Sequence, residues 1–172
     1  EERGAALAVQ HLVELGHTDI VHIDGAANIS SRARSRGYEK AMRLLGLEPR
    51  ILRGGDDEAD AEAAIVNLAE TDSMPTAIFA FNDLVAAGAL STLEAAGLRV
   101  PDDVSVVGYD NTFIAELNHM SLTTVNQPRH QMGQLAIRTV LERIEDDRTE
   151  PTRIDLAPTL SVRRSTAPPR KA

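Results

Sequence analysis

Pro75-Thr76-Ala77-Ile78-Phe79-Ala80-Phe81-Asn82-Asp83 is the stretch that decides the fold. From Thr76 to Phe81 the chain is almost wholly apolar, without the polar–apolar alternation of a strand that faces water on one side. Such a strand is buried on both faces, which points to a parallel sheet with helices above and below. Asn82 and Asp83 close the strand and can cap the helix Leu84 to Ala96, which Gly97 ends.

The same strand-then-helix pattern extends in both directions. Upstream, Arg3 to Leu15 reads as a helix stopped by Gly16, and Ile20-Val21-His22-Ile23-Asp24-Gly25 as a second buried strand. Ser30 or Ser31 can cap the next helix, which sets Tyr38, Met42 and Leu45 on one face before Gly46. A weak strand at Ile51-Leu52-Arg53 and a Gly-Gly-Asp-Asp turn precede an Ala-rich helix from Glu58 to Ala69, with Ile65 and Leu68 inward. Downstream, Pro101 introduces the strand Val104-Ser105-Val106-Val107-Gly108, and a long loop runs from Tyr109 to Leu122. Alternation of this kind favours right-handed crossovers and an α/β fold with a parallel sheet.

After Thr123-Thr124-Val125 the pattern changes. Met132, Ala136, Val140 and Ile144 form an i,i+4 stripe on an isolated helix that ends at Glu145-Asp146-Asp147-Arg148. Two short strand candidates follow, Arg153 to Leu156 and Leu160 to Arg163, and the Pro-rich end Ala167 to Ala172 reads as a frayed tail.

The chain has 172 residues, 42% of them hydrophobic, enough for a real core. A net charge of -8 makes it a poor ligand for a phosphate backbone. Cys is absent, which removes disulfides, thiolate metal sites and a Cys nucleophile. No apolar run is long enough for a membrane span, and the start lacks a signal-peptide profile, so a cytoplasmic location is expected.

In an open parallel sheet, ligands sit beyond the carboxyl ends of the strands. The polar residues there are Asp24, Asn82, Asp83 and Asp110, with Arg34 near the start of the helix after Asp24. An Asp, an Asn and an Arg together both accept from and donate to neighbouring hydroxyls, as a sugar or nucleoside requires. The plainer reading makes Asn82 and Asp83 helix caps and Arg34 a surface cation. Dinucleotide, phosphate-loop and serine-hydrolase motifs are missing from the sequence. His11, His17, His22, His119 and His130 do not pair at i,i+4 in the manner of a zinc-protease helix, so neither a metal nor a cofactor is expected.

The spaced motifs H-L-V-E-L-G-H-T-D-I (11–20), R-A-R-S-R-G-Y (32–38), P-T-A-I-F-A-F-N-D (75–83), V-P-D-D-V-S-V-V-G-Y-D (100–110), L-T-T-V-N-Q-P (122–128) and the closing R-R-S-T-A-P-P run through nearly the whole chain in order. Together they resemble the effector-binding region of LacI/GalR transcription regulators. The resemblance implies a periplasmic-binding-protein-like type I fold, in which two α/β subdomains enclose a small effector. Residues 1–127 would be the Rossmann-like carboxy-terminal subdomain, 128–157 a helix and strand of an otherwise missing amino-terminal subdomain, and 158–172 the final strand and tail. Carried over by position, Arg34, Asn82 and Asp110 become effector contacts, and Phe81 is the nearest candidate for a stacking surface. Two departures stand out. Asp56-Asp57 and Arg129 occupy places where many or some members carry an aromatic.

The function so implied is that of a sugar-type (polyol or nucleoside) effector-binding fragment of a repressor and not an enzyme. Operator DNA would be gripped only through a helix-turn-helix absent from this chain. A homodimer is expected through the face that carries Leu84, Ala87, Leu90 and Leu117. The alternatives are a sugar-binding receptor of a transport system and an α/β enzyme with Asp110 as general base. The helix Gln131 to Asp146, with Met132, Leu135, Ala136, Val140 and Ile144 apolar, is expected to find a substitute partner, either its own carboxy-terminal subdomain or, preferably, the same helix of a neighbouring chain.

Overall fold

The computed structural model describes residues 1–71, 73–145 and 150–170. The elements in chain order are α1 (Glu2–Glu14), β1 (Ile20–Ile23), α2 (Ile29–Leu44), β2 (Arg50–Leu52), α3 (Glu58–Glu70), β3 (Ala77–Ala80), α4 (Asp83–Ala95), β4 (Ser105–Tyr109), α5 (Phe113–Glu116), β5 (Thr123–Asn126), α6 (Arg129–Glu145) and β6 (Thr159–Ser161). They build one six-stranded sheet in the order β2-β1-β3-β4-β5-β6. The first five strands are parallel, and β6 returns antiparallel to β5, with Val125 opposite Leu160.

The central strands are buried on both faces, as their uniform apolar composition requires. One core, on the α1–α2 face, gathers Val9, Leu12, Ile20, Tyr38, Met42, Phe79 and Tyr109. The other, on the α3–α4 face, gathers Ile23, Ile65, Leu68, Ile78, Val85, Leu93 and Leu122. Each helix pair meets over a glycine. A Cβ on Gly37 would lie 2.5 Å from the Glu2 carbonyl oxygen and 3.0 Å from the Ala5 Cβ. A Cβ on Gly88 would lie 2.4 Å from the Glu58 carbonyl oxygen and 3.0 Å from the Ala61 Cβ.

Several local expectations are corrected. Asn28, not Ser30 or Ser31, caps α2: its side-chain oxygen accepts from the Ser31 N–H, while the Ser31 hydroxyl donates to the Gly25 carbonyl. Leu45 is not inward. It sits at the C-cap, 48% exposed, because Gly46 turns the chain there with φ +73°. The loop after Tyr109 contains the one-turn helix α5. Arg153 to Leu156 is no strand: the segment has no partner strand and lies beside α6, where Thr152, Ile154 and Leu156 face Met132, Leu135 and Ala136.

The tail is docked, not frayed, through Arg170. The Ser165 hydroxyl donates to the Val106 carbonyl, the Ala167 carbonyl accepts from the Ser105 hydroxyl and pairs with His17 Nε2, and Arg170 reaches Asp103. His17 therefore ties turn, sheet and tail, with Thr76 Oγ1 on its other nitrogen. α6 has no buried residue, and Val140 and Ile144 are 57% and 73% exposed. Folding of this helix back onto the sheet's own helices is thereby ruled out within the chain. The helix end at Asp146-Asp147-Arg148 and the tail end Lys171-Ala172 lie outside the described residues.

Candidate functional site

The carboxyl ends of β1, β3 and β4 and the first turn of α2 surround an open depression lined by Ala27, Asn28, Ser30, Arg34, Phe81 and Asp110. Arg34 is its centre. One turn into α2, it is carried inward under the loops, and only 4% of its surface is exposed. Its Nε donates to Glu1 Oε2 at 2.7 Å, its Nη1 to the Phe81 carbonyl, and its Nη2 to Asp110 Oδ1 at 3.0 Å. The guanidinium carbon stands 3.7 Å from the Tyr109 ring centroid and 4.6 Å from that of Phe81. A planar fork with donors on every nitrogen suits these three acceptors and two ring faces at once.

Glycines make the room. A side chain on Gly4 would strike the Tyr109 ring, and one on Gly25 would meet the Phe81 ring at 2.6 Å. Burial tends to raise the Glu1 carboxyl, but the Arg34 hydrogen bond and charge outweigh it and hold the group below the usual carboxylate range. Burial, reinforced by the Glu1 charge, pushes the Tyr109 phenol upward, so it stays protonated and donates to the Glu1 carbonyl.

Asp110 follows β4 in a left-handed conformation, φ +100°, and Asn111 follows it at φ +49°. Two consecutive non-glycine residues in that region are uncommon and persist where surrounding bonds determine them. The Asp110 N–H donates to the Val125 carbonyl, and Asp110 Oδ1 accepts from both Arg34 and Gln127 Nε2, the latter at 2.6 Å. Among the described residues Oδ2 has no partner. Asp110 lines the depression, and this oxygen is free to accept from one or two hydroxyls.

Of the residues singled out from sequence, Arg34, Phe81 and Asp110 come together. Phe81 is 6% exposed, and Gly25 and Arg34 cover its ring, so it forms the floor of the site and not an open stacking face. Asn82 is not brought into the depression. Its oxygen accepts from the Val85 N–H as the α4 cap, and its amide donates to the Asp56 carbonyl. Asp24 accepts from the Gly54 N–H and lines a separate groove beside β2. Sequence reasoning missed Glu1, Gln127 and Tyr109, the immediate partners of Arg34 and Asp110. Only the polar type of Gln127, two residues past a buried run, signals any of them.

Comparison with known proteins places this geometry. Residues 9–166 match the model of the periplasmic binding protein-like domain. The chain is 39% identical over 170 residues to the HTH-type transcriptional repressor PurR of Aliivibrio fischeri strain MJ11, covering 95% of this chain and 50% of that one. It thus spans about half the length of the curated relatives it matches. A LacI transcriptional regulator from a Rhodococcus species superposes with a TM-score of 0.92 at 38% identity, over 97% of this chain and 62% of that one. A LacI family regulator from Enterococcus faecium, with bound ribose, superposes with a TM-score of 0.89 at 31% identity, over 98% of this chain and 64% of that one. The resemblance to the LacI/GalR effector-binding region is therefore borne out in sequence and in fold, and the chain belongs to the periplasmic binding protein-like domain family.

Proposed function

We propose that this chain is the effector-binding portion of a DNA-binding transcriptional repressor, not an enzyme, and that it captures a sugar or a related polyol or nucleoside at the Arg34–Asp110 end of the sheet. The observation that carries the reading is the Asp110 carboxylate, which lines the depression with one oxygen fixed by Arg34 and Gln127 and the other without a partner among the described residues. A carboxylate so held is set to accept from neighbouring ring hydroxyls. The ribose bound by the Enterococcus faecium regulator belongs to that chemical class. Regulators among the similar proteins favour this role over that of a transport receptor.

Residues 128–157 belong, on this reading, to a second subdomain that closes over the effector, with 1–127 and the final strand forming the half described. DNA contact resides in a helix-turn-helix outside these residues, in the cytoplasm, since a net charge of -8 repels phosphates. Homodimerisation uses the α4 face, where Leu84, Ala87 and Leu90 are half-buried and Leu117 is 39% exposed. Calorimetry of the full-length regulator with D-ribose and with purine nucleosides tests the assignment. Binding of one class, weakened at least tenfold by Asp110→Asn, supports it. Binding that is indifferent to Asp110→Asn refutes it.

A further inference from the structure

A buried carboxylate outside the lining of the depression stands next to the loop that carries Asp110. Asp83 begins α4, next to the cap Asn82, yet it makes no capping bond of its own. Its side chain turns under the sheet end and is 1% exposed. Oδ2 accepts from both the backbone N–H and the hydroxyl of Thr112, the latter at 2.9 Å. Oδ1 accepts from the Thr124 hydroxyl. Gly108 is the residue that lets it in: a Cβ there would fall 2.6 Å from Asp83 Oδ1. None of its partners is a cation. Burial raises its carboxyl above the usual range, and the neighbouring Asp110 charge adds to the effect.

A buried carboxylate with no countercharge is costly unless its hydrogen bonds fix something in place. What these bonds fix is the loop that carries Asp110. The left-handed pair Asp110-Asn111 lies between two clamps: the Asp110 N–H on the Val125 carbonyl, and Thr112 on Asp83. Thr124 completes the arrangement, since its hydroxyl oxygen also accepts from the Asn111 N–H at 3.3 Å. Asn111 is held further by Asn126 and Arg163. Resting on the effector reading above, we infer that Asp83 is a positioning residue, which holds the 109–112 loop, with its left-handed Asp110-Asn111 pair, in the conformation that aims the Asp110 carboxylate at the effector.

The test has a structural arm that needs no effector and a binding arm that does. In crystals of the ligand-free full-length protein, Asp83→Ala should let Asp110 leave the left-handed region and displace the 109–112 loop. An unchanged loop with Asp110 φ near +100° overturns the inference. In calorimetry with D-ribose as the probe, Asp83→Ala should weaken binding at least tenfold. Asp83→Asn should stay within threefold, because an amide can still offer its oxygen to Thr112 while its NH2 donates to the Thr124 hydroxyl. In an Asp110→Ala background, Asp83→Ala should add less than twofold. An equal loss in both backgrounds would show that Asp83 acts elsewhere and overturns the inference. If wild type takes no ribose, ribose fails as the effector and the crystal arm alone decides the role of Asp83. Should Asp83→Ala not fold, Thr124→Val removes one of its donors and an acceptor for Asn111, and the same loop shift is expected.

Discussion

Replacing Arg34 by Lys keeps the charge and discards the geometry, which makes it the sharpest probe of the site. The guanidinium satisfies Glu1, the Phe81 carbonyl and Asp110 with three different nitrogens, all at a position 4% exposed. An ammonium at the end of an unbranched chain cannot span three acceptors arranged around a plane, and it loses the flat contact with Tyr109. Losing two charge-assisted bonds at roughly 1.5–3 kcal/mol each, less what the retained charge still contributes, gives a destabilisation of about 2–4 kcal/mol. For a domain of this size that corresponds to a fall in Tm on the order of 10 °C. Urea unfolding at pH 7, followed by circular dichroism at fixed ionic strength, reads the difference directly. A loss below about 0.5 kcal/mol would mean that the Arg34 cluster is held by its surroundings and not by these bonds.

The remaining predictions concern the scaffold. His22 is fully buried, stacked 4.7 Å from Phe79, with Nδ1 bonded to the Phe79 carbonyl, and burial above all lowers it to about 4. Because the folded value is the lower one, the neutral ring's contribution is complete above pH 6.5 and is lost as pH falls toward 4, about 3 kcal/mol in all. Wild type should lose that much relative to His22→Gln over the same window in pH-dependent urea titrations, and parallel curves for the two proteins would contradict it. Gly88→Ala forces a methyl against the Glu58 backbone, and overpacking of about 1–3 kcal/mol outweighs the helix-propensity gain of about 1 kcal/mol, so Tm should fall. Gly133→Ala, with open space around it on α6, should instead raise helicity by circular dichroism, and a destabilising Gly133→Ala would show that this face is covered.

Legibility from sequence followed the physics of each element. The stretch 75–83 and the run at 104–108 were readable because a strand buried on both faces leaves no choice of composition, and glycines 16, 46 and 97 marked helix ends that all adopt positive φ. Asp110 and Arg34 were readable from their places just past strand ends. Asp83 was not: the same residue type in the same place caps helices, and only the fold brings Thr112 and Thr124 around it. Asn28 displaced the serines as cap because its side chain reaches the Ser31 N–H while the Ser31 hydroxyl is drawn to Gly25, a choice made by tertiary packing. The docked tail escaped notice because Pro-rich, charged sequence carries no hydrophobic pattern, and its anchors are scattered hydrogen bonds to His17, Ser105 and Asp103.

The two glycine crossings lie at the same end of the sheet. Gly37 touches the backbone of α1 in its first turn, and Gly88 touches that of α3 in its first turn, so both helix pairs are closest at the end of the sheet where Arg34 and Asp110 lie. On the outer side of the α1–α2 seam a cleft runs past this crossing, lined by Arg3, Val13, Gly37, Leu44 and Leu45, and Leu44 is 78% exposed. The helix pairs are therefore joined backbone to backbone at the end of the sheet that carries Arg34 and Asp110. On the effector reading, contacts of this kind order the Arg34–Asp110 end as the chain folds, and what is ordered on folding is not charged again to binding.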